Sequence, residues 1–274
     1  MTREEPTVPA RTPAPPPAIH TSAPEFVAYY AKQSQSEYAR AKFESIHALL
    51  ARVLAHRQGP LDVGDIGCGA GMQSQFWAQR GHRVFGLDVN EALVGIARER
   101  ASAAGYPIEF RVGSATALPL DDRSLDVCIA ADLLEHVPEW KQCLDEFARV
   151  LRPGGVLFVG TSSRLCPVQE EFTLPLYSWY PTRLKRHYEE LARTTRPELA
   201  NHATYPAVNW FSFYQLRKEL DRRGLDAKDR FDLADTSSKS PVAAMVIGML
   251  RAVPPLRWVG HVFTPYTIVV GIKR

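Results

Sequence analysis

Several things are scarce in this sequence, and each scarcity narrows what the chain can be. Cysteine is the first: Cys68, Cys128, Cys143 and Cys166 lie in separate segments, with no CxxC pair and no Cys/His ligand spacing. That excludes a disulfide framework and a structural zinc site, and it points to a reducing compartment. Three of the four sit within apolar patterns, where a free thiol behaves as a small hydrophobe. Net charge is the second: 33 basic against 30 acidic residues leave only +3, so there is no global signature of a nucleic-acid binder. Long apolar runs are the third. The longest, residues 242–250, is too short to span a bilayer. The opening Met1-Thr2-Arg3-Glu4-Glu5-Pro6 has no apolar core of a secretory signal, and a cytoplasmic location is the expectation.

What is present is ordinary globular material. Apolar residues make up 45% of the 274 and charged residues 23%, enough for one large domain with an elaboration. Residues 1–24 carry seven prolines among Thr and Ala, too little apolar surface to offset ordering entropy, so a disordered leader is expected. From about 25 to 57, Tyr38, Ala41, Ile46, Leu49, Leu50 and Val53 recur at helical spacing.

A strand–helix alternation follows, the pattern of a parallel sheet with helices on its faces. Strands are expected at 61–66, 83–87, 108–112, 125–131 and 156–160. Helices are expected from Gly71 to about 80, from an Asn90 cap to about 103, and over 139–151 until Arg152-Pro153-Gly154-Gly155 stops the last of them. The resulting fold class is α/β: a Rossmann-like, doubly wound, mostly parallel seven-stranded sheet. After Thr161 the rhythm breaks. About 45 residues rich in Pro, Tyr, Trp, Arg and His predict a helical insertion or lid over 163–210, since a structureless loop of that length is unusual. A helix capped by Ser212, with Gln215 three residues on, runs to Gly224. Ser240-Pro241 opens a short apolar helix, and 267–272 reads as a final strand. The expected organisation is a leader (1–24) and a domain (25–274) with a core at 60–162 and terminal elements at 211–274.

The chemistry concentrates in Val63-Gly64-Asp65-Ile66-Gly67-Cys68-Gly69-Ala70-Gly71, between an apolar strand and a helix. Glycines at 67, 69 and 71 allow a sharp turn and close approach of backbone to a ligand, and the following amides attract an anionic group. Asp65 is placed to meet a ligand ammonium. Asp88 ends the second strand, where a carboxylate can accept hydrogen bonds from both ribose hydroxyls. Gly113-Ser114-Ala115 follows the third strand, at the place of an adenine ring. A dehydrogenase turn is the bland alternative, but Met72 stands where a GxGxxG fingerprint needs its last glycine.

In this order and spacing, Asp65–Gly71, Leu87-Asp88, Gly113–Leu120, Asp126-Val127, Leu134-Glu135-His136-Val137 and Leu151–Gly155 resemble the class I S-adenosylmethionine-dependent methyltransferases of type 11, over about residues 60–162. The resemblance implies S-adenosylmethionine as cofactor and S-adenosylhomocysteine as product. The implied cofactor set is Asp65, Gly67, Cys68, Gly69, Gly71, Asp88, Val89, Ser114, Ala115 and Asp132. One departure is Ser114, where the family usually carries Asp; a serine still hydrogen-bonds, more weakly.

The acceptor side is read from fewer signals. Glu135-His136 follows the fourth strand, and His136 is the candidate catalytic base. The pair could instead cap and pack the loop, or join Asp132 around a divalent metal; no metal is assigned. In the insertion, Tyr180, His187, Tyr188 and Trp210 have the polar-tipped aromatic character of a substrate lid, with Arg183, Lys185, Arg186, Arg193 and Arg196 beside them. The expected function is methyl transfer, at oxygen, to a small-molecule or lipid-linked acceptor, with peripheral membrane contact an open possibility and no nucleic-acid partner. The competing readings are a non-catalytic cofactor-binding regulator and an RNA methyltransferase.

Overall fold

The computed structural model describes residues 24–169, 171–200, 207–237 and 239–274. Residues 1–23, where the Pro-rich leader was expected, lie outside the described residues.

Seven strands form one sheet in the order β3-β2-β1-β4-β5-β7-β6: β1 (Asp62–Ile66), β2 (Arg83–Asp88), β3 (Glu109–Val112), β4 (Leu125–Ala131), β5 (Leu151–Ser162), β6 (Leu225–Asp229) and β7 (Tyr266–Lys273). Only β7 runs antiparallel, pairing with both β5 and β6. Ten α-helices are described: α1 (Pro24–Gln33), α2 (Glu37–Val53), α3 (Met72–Ala78), α4 (Glu91–Ala103), α5 (Trp140–Val150), α6 (Thr182–Thr194), α7 (Phe213–Asp221), α8 (Arg230–Leu233), α9 (Pro241–Ala252) and α10 (Pro254–Val262).

Strand periodicity explains why helices cover both faces. Side chains alternate across a sheet, so along β4 Val127 and Ile129 join Ile46, Leu50 and Trp77 from α2 and α3. Cys128 and Ala130 instead join Leu144, Phe147, Leu216 and Leu220 from α5 and α7. Val156 and Phe158 of β5 divide from Leu157 and Val159 in the same way. Phe147 and Leu144 are fully buried, each stabilising the fold by about 1.5–3 kcal/mol relative to exposure.

Local chemistry sets the ends. Asn90 caps α4, its side chain accepting from the Leu93 amide at 3.1 Å, and Ser212 caps α7 through the Gln215 amide at 3.2 Å. Three expectations need correction. The helix over 25–57 is two helices, because Ser36 leaves the helical path and caps α2 through the Ala39 amide. Strand β5 begins at Leu151 rather than 156: Leu151 already pairs with Leu125, and a register irregularity absorbs Pro153-Gly154-Gly155, with Gly154 at φ 73°. β6, α8 and α10 had no located counterpart. β6 reads Leu-Asp-Ala-Lys-Asp and buries only its ends, as an edge strand does, which leaves little apolar signal.

Candidate active site

The parallel registers bring the cofactor motifs to one place. Ile66 pairs with Leu87 and Asp88 with Val112, so the turns after β1, β2 and β3 lie side by side at the carboxyl edge of the sheet, where ligands of open α/β folds bind. Gly67, Gly69 and Gly71 adopt φ of 80°, 50° and 76°, which side chains with a Cβ rarely accept. Their surroundings differ. A Cβ at Gly71 would lie 2.7 Å from Ala97 Cβ and 2.9 Å from Phe110 Cζ, and one at Gly67 3.1 Å from Leu133 Cδ1, whereas among the described residues nothing lies within 4 Å at Gly69. Gly71 is thus fixed by packing of α3 on α4, and Gly69 faces open space. The Gly67 and Cys68 amides both donate to the Leu87 carbonyl, at 2.7 and 3.0 Å, which locks the turn to β2.

Asp88 Oδ2 accepts from the Gly69 amide and Oδ1 from the Asn90 amide, both at 2.8 Å. The carboxylate is therefore aimed by backbone donors, with acceptor capacity left on each oxygen. Burial raises its pKa. Asp65 is buried and accepts from the Ser74 hydroxyl at 2.5 Å. Burial, with the Asp88 charge adding to it, pushes its pKa up to about 6. A carboxyl desolvated this way is ready to gain from an incoming cation. Gly113 donates to the Asp88 carbonyl at 2.9 Å, which places Ser114 and buried Ala115 beside it; the Ser114 hydroxyl shares a 2.7 Å hydrogen bond with that of Thr116. Val89 is 36% exposed next to Asp88. Cys68 is buried and its thiol pKa is raised, by burial first, so it has no thiolate to offer as a nucleophile.

A second cluster lies past β4 and β5. Asp132 sits at φ 52°, a region few residues other than glycine occupy. Its Oδ1 accepts from the Tyr266 hydroxyl at 2.6 Å, and its Oδ2 pairs with Lys42. Glu135 is fully buried: one oxygen accepts from the Thr161 hydroxyl at 2.9 Å, and Oε1 has no hydrogen-bond partner among the described residues. Burial, then the charges of Asp132 and Glu171, raise its pKa well above the usual carboxylate range. One ligand atom each from Glu135, His136 and Glu171 lies within 4.8 Å of the others. Two carboxylates and an imidazole in that space suit a divalent cation. The sequence reading had Asp132 in this set; the structure supplies Glu171 and turns Asp132 to Lys42 and Tyr266. The main chain here is held by Asn209, whose Nδ2 donates to the carbonyls of Leu134 and Val137 at 3.1 and 2.8 Å.

Tyr30, Lys42, Glu171 and Tyr266 were not foreseen as site residues. They come from α1, α2, the insertion and β7, and only the folded topology brings them together. Tyr30 shows the convergence: its pKa rises to about 12 through burial and the charges of Glu171, Tyr29, Asp132 and Glu135.

Within the described part of the insertion, Tyr180, Tyr188 and Trp210 pack around Phe172 and Tyr177 in a small satellite core, and His187 lies edge-on to Tyr188 with centroids 5.4 Å apart. Lys185 stands over the Trp210 ring at 4.1 Å. Its pKa falls to about 8, through burial and then the neighbouring Arg164 charge.

Comparison with known proteins agrees with this geometry. The type 11 methyltransferase-domain family model matches residues 64–159. A probable S-adenosylmethionine-dependent methyltransferase of Mycolicibacterium smegmatis is 40% identical over 120 residues, covering 43% of this chain and 45% of that protein. A ubiquinone biosynthesis O-methyltransferase of Sinorhizobium fredii is 31% identical over 172 residues, 61% of this chain and 60% of that one. The match thus spans less than two thirds of either relative. Among solved structures, the YcgJ protein of Bacillus subtilis superposes with TM-score 0.53 at 18% identity, over 83% of this chain and 98% of that one. Magnesium protoporphyrin IX methyltransferase of Synechocystis, solved with bound SAH, does so with TM-score 0.51 at 18% identity, over 86% and 84%. At those identities the likeness concerns the fold alone. Sheet order, glycine turn, strand-end acid and family match converge: residues 64–159 are similar to the type 11 methyltransferase-domain family.

Proposed function

We propose that the chain transfers a methyl group from S-adenosylmethionine to an oxygen of a small-molecule or lipid-linked acceptor. The observation that carries this reading is the adjacency of two differently built clusters at one sheet edge. One is an aimed carboxylate beside an open glycine turn; the other is a buried acid–histidine group. The residues fit the cofactor. Asp65 would meet the ammonium, the main chain at 67–71 the carboxylate, Asp88 the ribose hydroxyls, and Ser114 and Ala115 the adenine, with Val89 beside it. When bound, S-adenosylmethionine supplies an activated methyl group on a sulfonium, so the protein's work is alignment and exclusion of water.

An oxygen acceptor must lose a proton, and His136 is the group we assign to receive it. The 31%-identical O-methyltransferase relative supports oxygen as the target atom. Tyr180, His187, Tyr188 and Trp210 are assigned to the substrate side, Asp132 to the boundary between the two clusters. His136→Ala is expected to leave cofactor affinity within threefold while lowering kcat by about 10²–10⁴, the usual worth of a general base. A panel of phenols and catechols, followed by S-adenosylhomocysteine release, provides the assay. Unchanged kcat would remove His136 from the chemistry. The 4.8 Å grouping of Glu135, His136 and Glu171 favours one second reading, a divalent cation that lowers the acceptor's pKa. Loss of turnover in EDTA, restored by Mg²⁺, would assign the residue to a ligand role instead.

Asp65 sets a pH dependence whose sign is fixed. Its pKa in the folded chain, about 6, lies above the ordinary 3.8. The protonated form is thus the one that folding favours, and free-protein stability rises as pH falls through 6 toward 4. A bound ammonium favours the ionised form, so cofactor affinity is expected to be flat above about pH 7 and to weaken below 6, by up to about tenfold per unit. Asp65→Asn should flatten the low-pH limb. Calorimetric titrations between pH 5 and 8 would show it, and affinity that strengthens on acidification would refute the ammonium contact.

A further inference from the structure

The longest connection outside the insertion runs from the end of β6 to the start of β7, and its surface is rich in exposed apolar side chains. None of the residues of α9 is buried, although the helix is almost wholly apolar. Val242 is 66% exposed, Met245 56%, Met249 48%, Trp258 50% and Phe263 78%. An apolar surface of this extent marks an interaction site.

Among the described residues no single helix is long and apolar enough to cross a membrane; α9 and α10 reach that length and composition only together, and the pair is bent by 111°. At 1.5 Å per residue the arms are about 18 and 14 Å long, against a hydrocarbon core of about 30 Å. Two short apolar arms at a steep angle can lie in an interface.

Charge selects the occupant. From Thr236 to Phe263 the connection has no Asp or Glu but has Lys239, Arg251 and Arg257, the last of them paired with Asp229 and Asp232. Lys239 is exposed. Arg251 donates to the neutral carbonyls of Phe231, Asp232 and Ala234, so among the described residues its charge has no counter-ion. The hairpin is also rigidly posted. Asp229, at the end of β6, accepts from Arg257 and binds His261, both at 2.8 Å. Burial opposes ionisation of Asp229, but these two partners win and hold its pKa down to about 2.

Its position ties it to the site. β6 ends and β7 begins at the same carboxyl edge as the cofactor turns: Tyr266 pairs with Ser162, the last residue of β5, and its hydroxyl reaches Asp132. Phe263 is three residues from that tyrosine.

We infer that the α9–α10 hairpin seats the chain on an anionic lipid bilayer, with the mouth of the active site at the lipid boundary. The inference deepens the proposed function, and rests on it only for the choice of a lipid-linked acceptor; docking itself needs no catalysis. Apolar side chains enter the headgroup region while the basic residues meet anionic lipid.

The test is co-sedimentation of the full chain with vesicles of phosphatidylcholine, alone or mixed two to one with phosphatidylglycerol. Binding to the mixed vesicles should be at least about tenfold tighter and weaken with salt. The double variant Met245→Glu, Trp258→Glu changes two exposed positions and should bind at least about tenfold more weakly, with calorimetric affinity for S-adenosylmethionine unchanged. The inference is overturned if the wild-type chain stays in the supernatant with both vesicles. It is equally overturned if the chain is a dimer that the double variant dissociates, since a second copy would then be the occupant. Vesicle binding in a chain that fails to bind S-adenosylmethionine would support docking and count against the proposed function.

Discussion

Asp88→Ala should weaken S-adenosylmethionine binding by at least about 100-fold. The carboxylate is held by the Gly69 and Asn90 amides at 2.8 Å each, which leaves it free to accept from two ligand hydroxyls. Hydrogen bonds to a charged group contribute about 1.5–3 kcal/mol each, and about 1.4 kcal/mol is tenfold in affinity. Removing the side chain also releases the Gly69 amide and with it the turn. Asp88→Asn keeps an acceptor for one amide and should fall between wild type and alanine. Calorimetry on protein shown to be folded by circular dichroism measures both, and an alanine variant within threefold of wild type would take Asp88 out of the cofactor seat.

Gly71→Val should lower stability by about 2–5 kcal/mol, combining left-handed backbone strain with overpacking, a fall in Tm of about 5–15 °C for a domain of this size. The added carbons would meet Ala97 and Phe110, which α4 and β3 hold in place. Gly69→Ala makes the informative contrast. Its φ of 50° costs about 1–2 kcal/mol for an L side chain, but nothing lies within 4 Å to clash. That variant should lose only about 2–8 °C in Tm and still lose cofactor affinity, because the methyl group would occupy the space the ligand needs. Equal melting losses for the two would mean that the turn is structural throughout.

The contrast between these glycines shows what the sequence could convey. All three appeared as equals in the motif, and only packing separates the one that abuts α4 from the one that faces open space. Strands β1, β2 and β4 were legible because their apolar runs are buried on both faces. β6 was not, because an edge strand of Leu-Asp-Ala-Lys-Asp buries little and looks like loop. Asp65 and Asp88 could be read from their spacing to the glycine turn, since strand length and turn geometry fix that distance locally. Glu171, Lys42, Tyr30 and Tyr266 could not, since they reach Asp132 and Glu135 through contacts spanning up to 134 positions. Nor could the sequence decide whether α9 is core or surface, since an apolar helix fits either until its neighbours are known.

A crystal structure with S-adenosylhomocysteine bound tests the cofactor seat most directly. The ribose hydroxyls should lie within hydrogen-bond distance of Asp88, the ammonium against Asp65, and the sulfur directed toward Glu135 and His136. A nucleoside bound elsewhere, or ribose hydroxyls out of reach of Asp88, would contradict it.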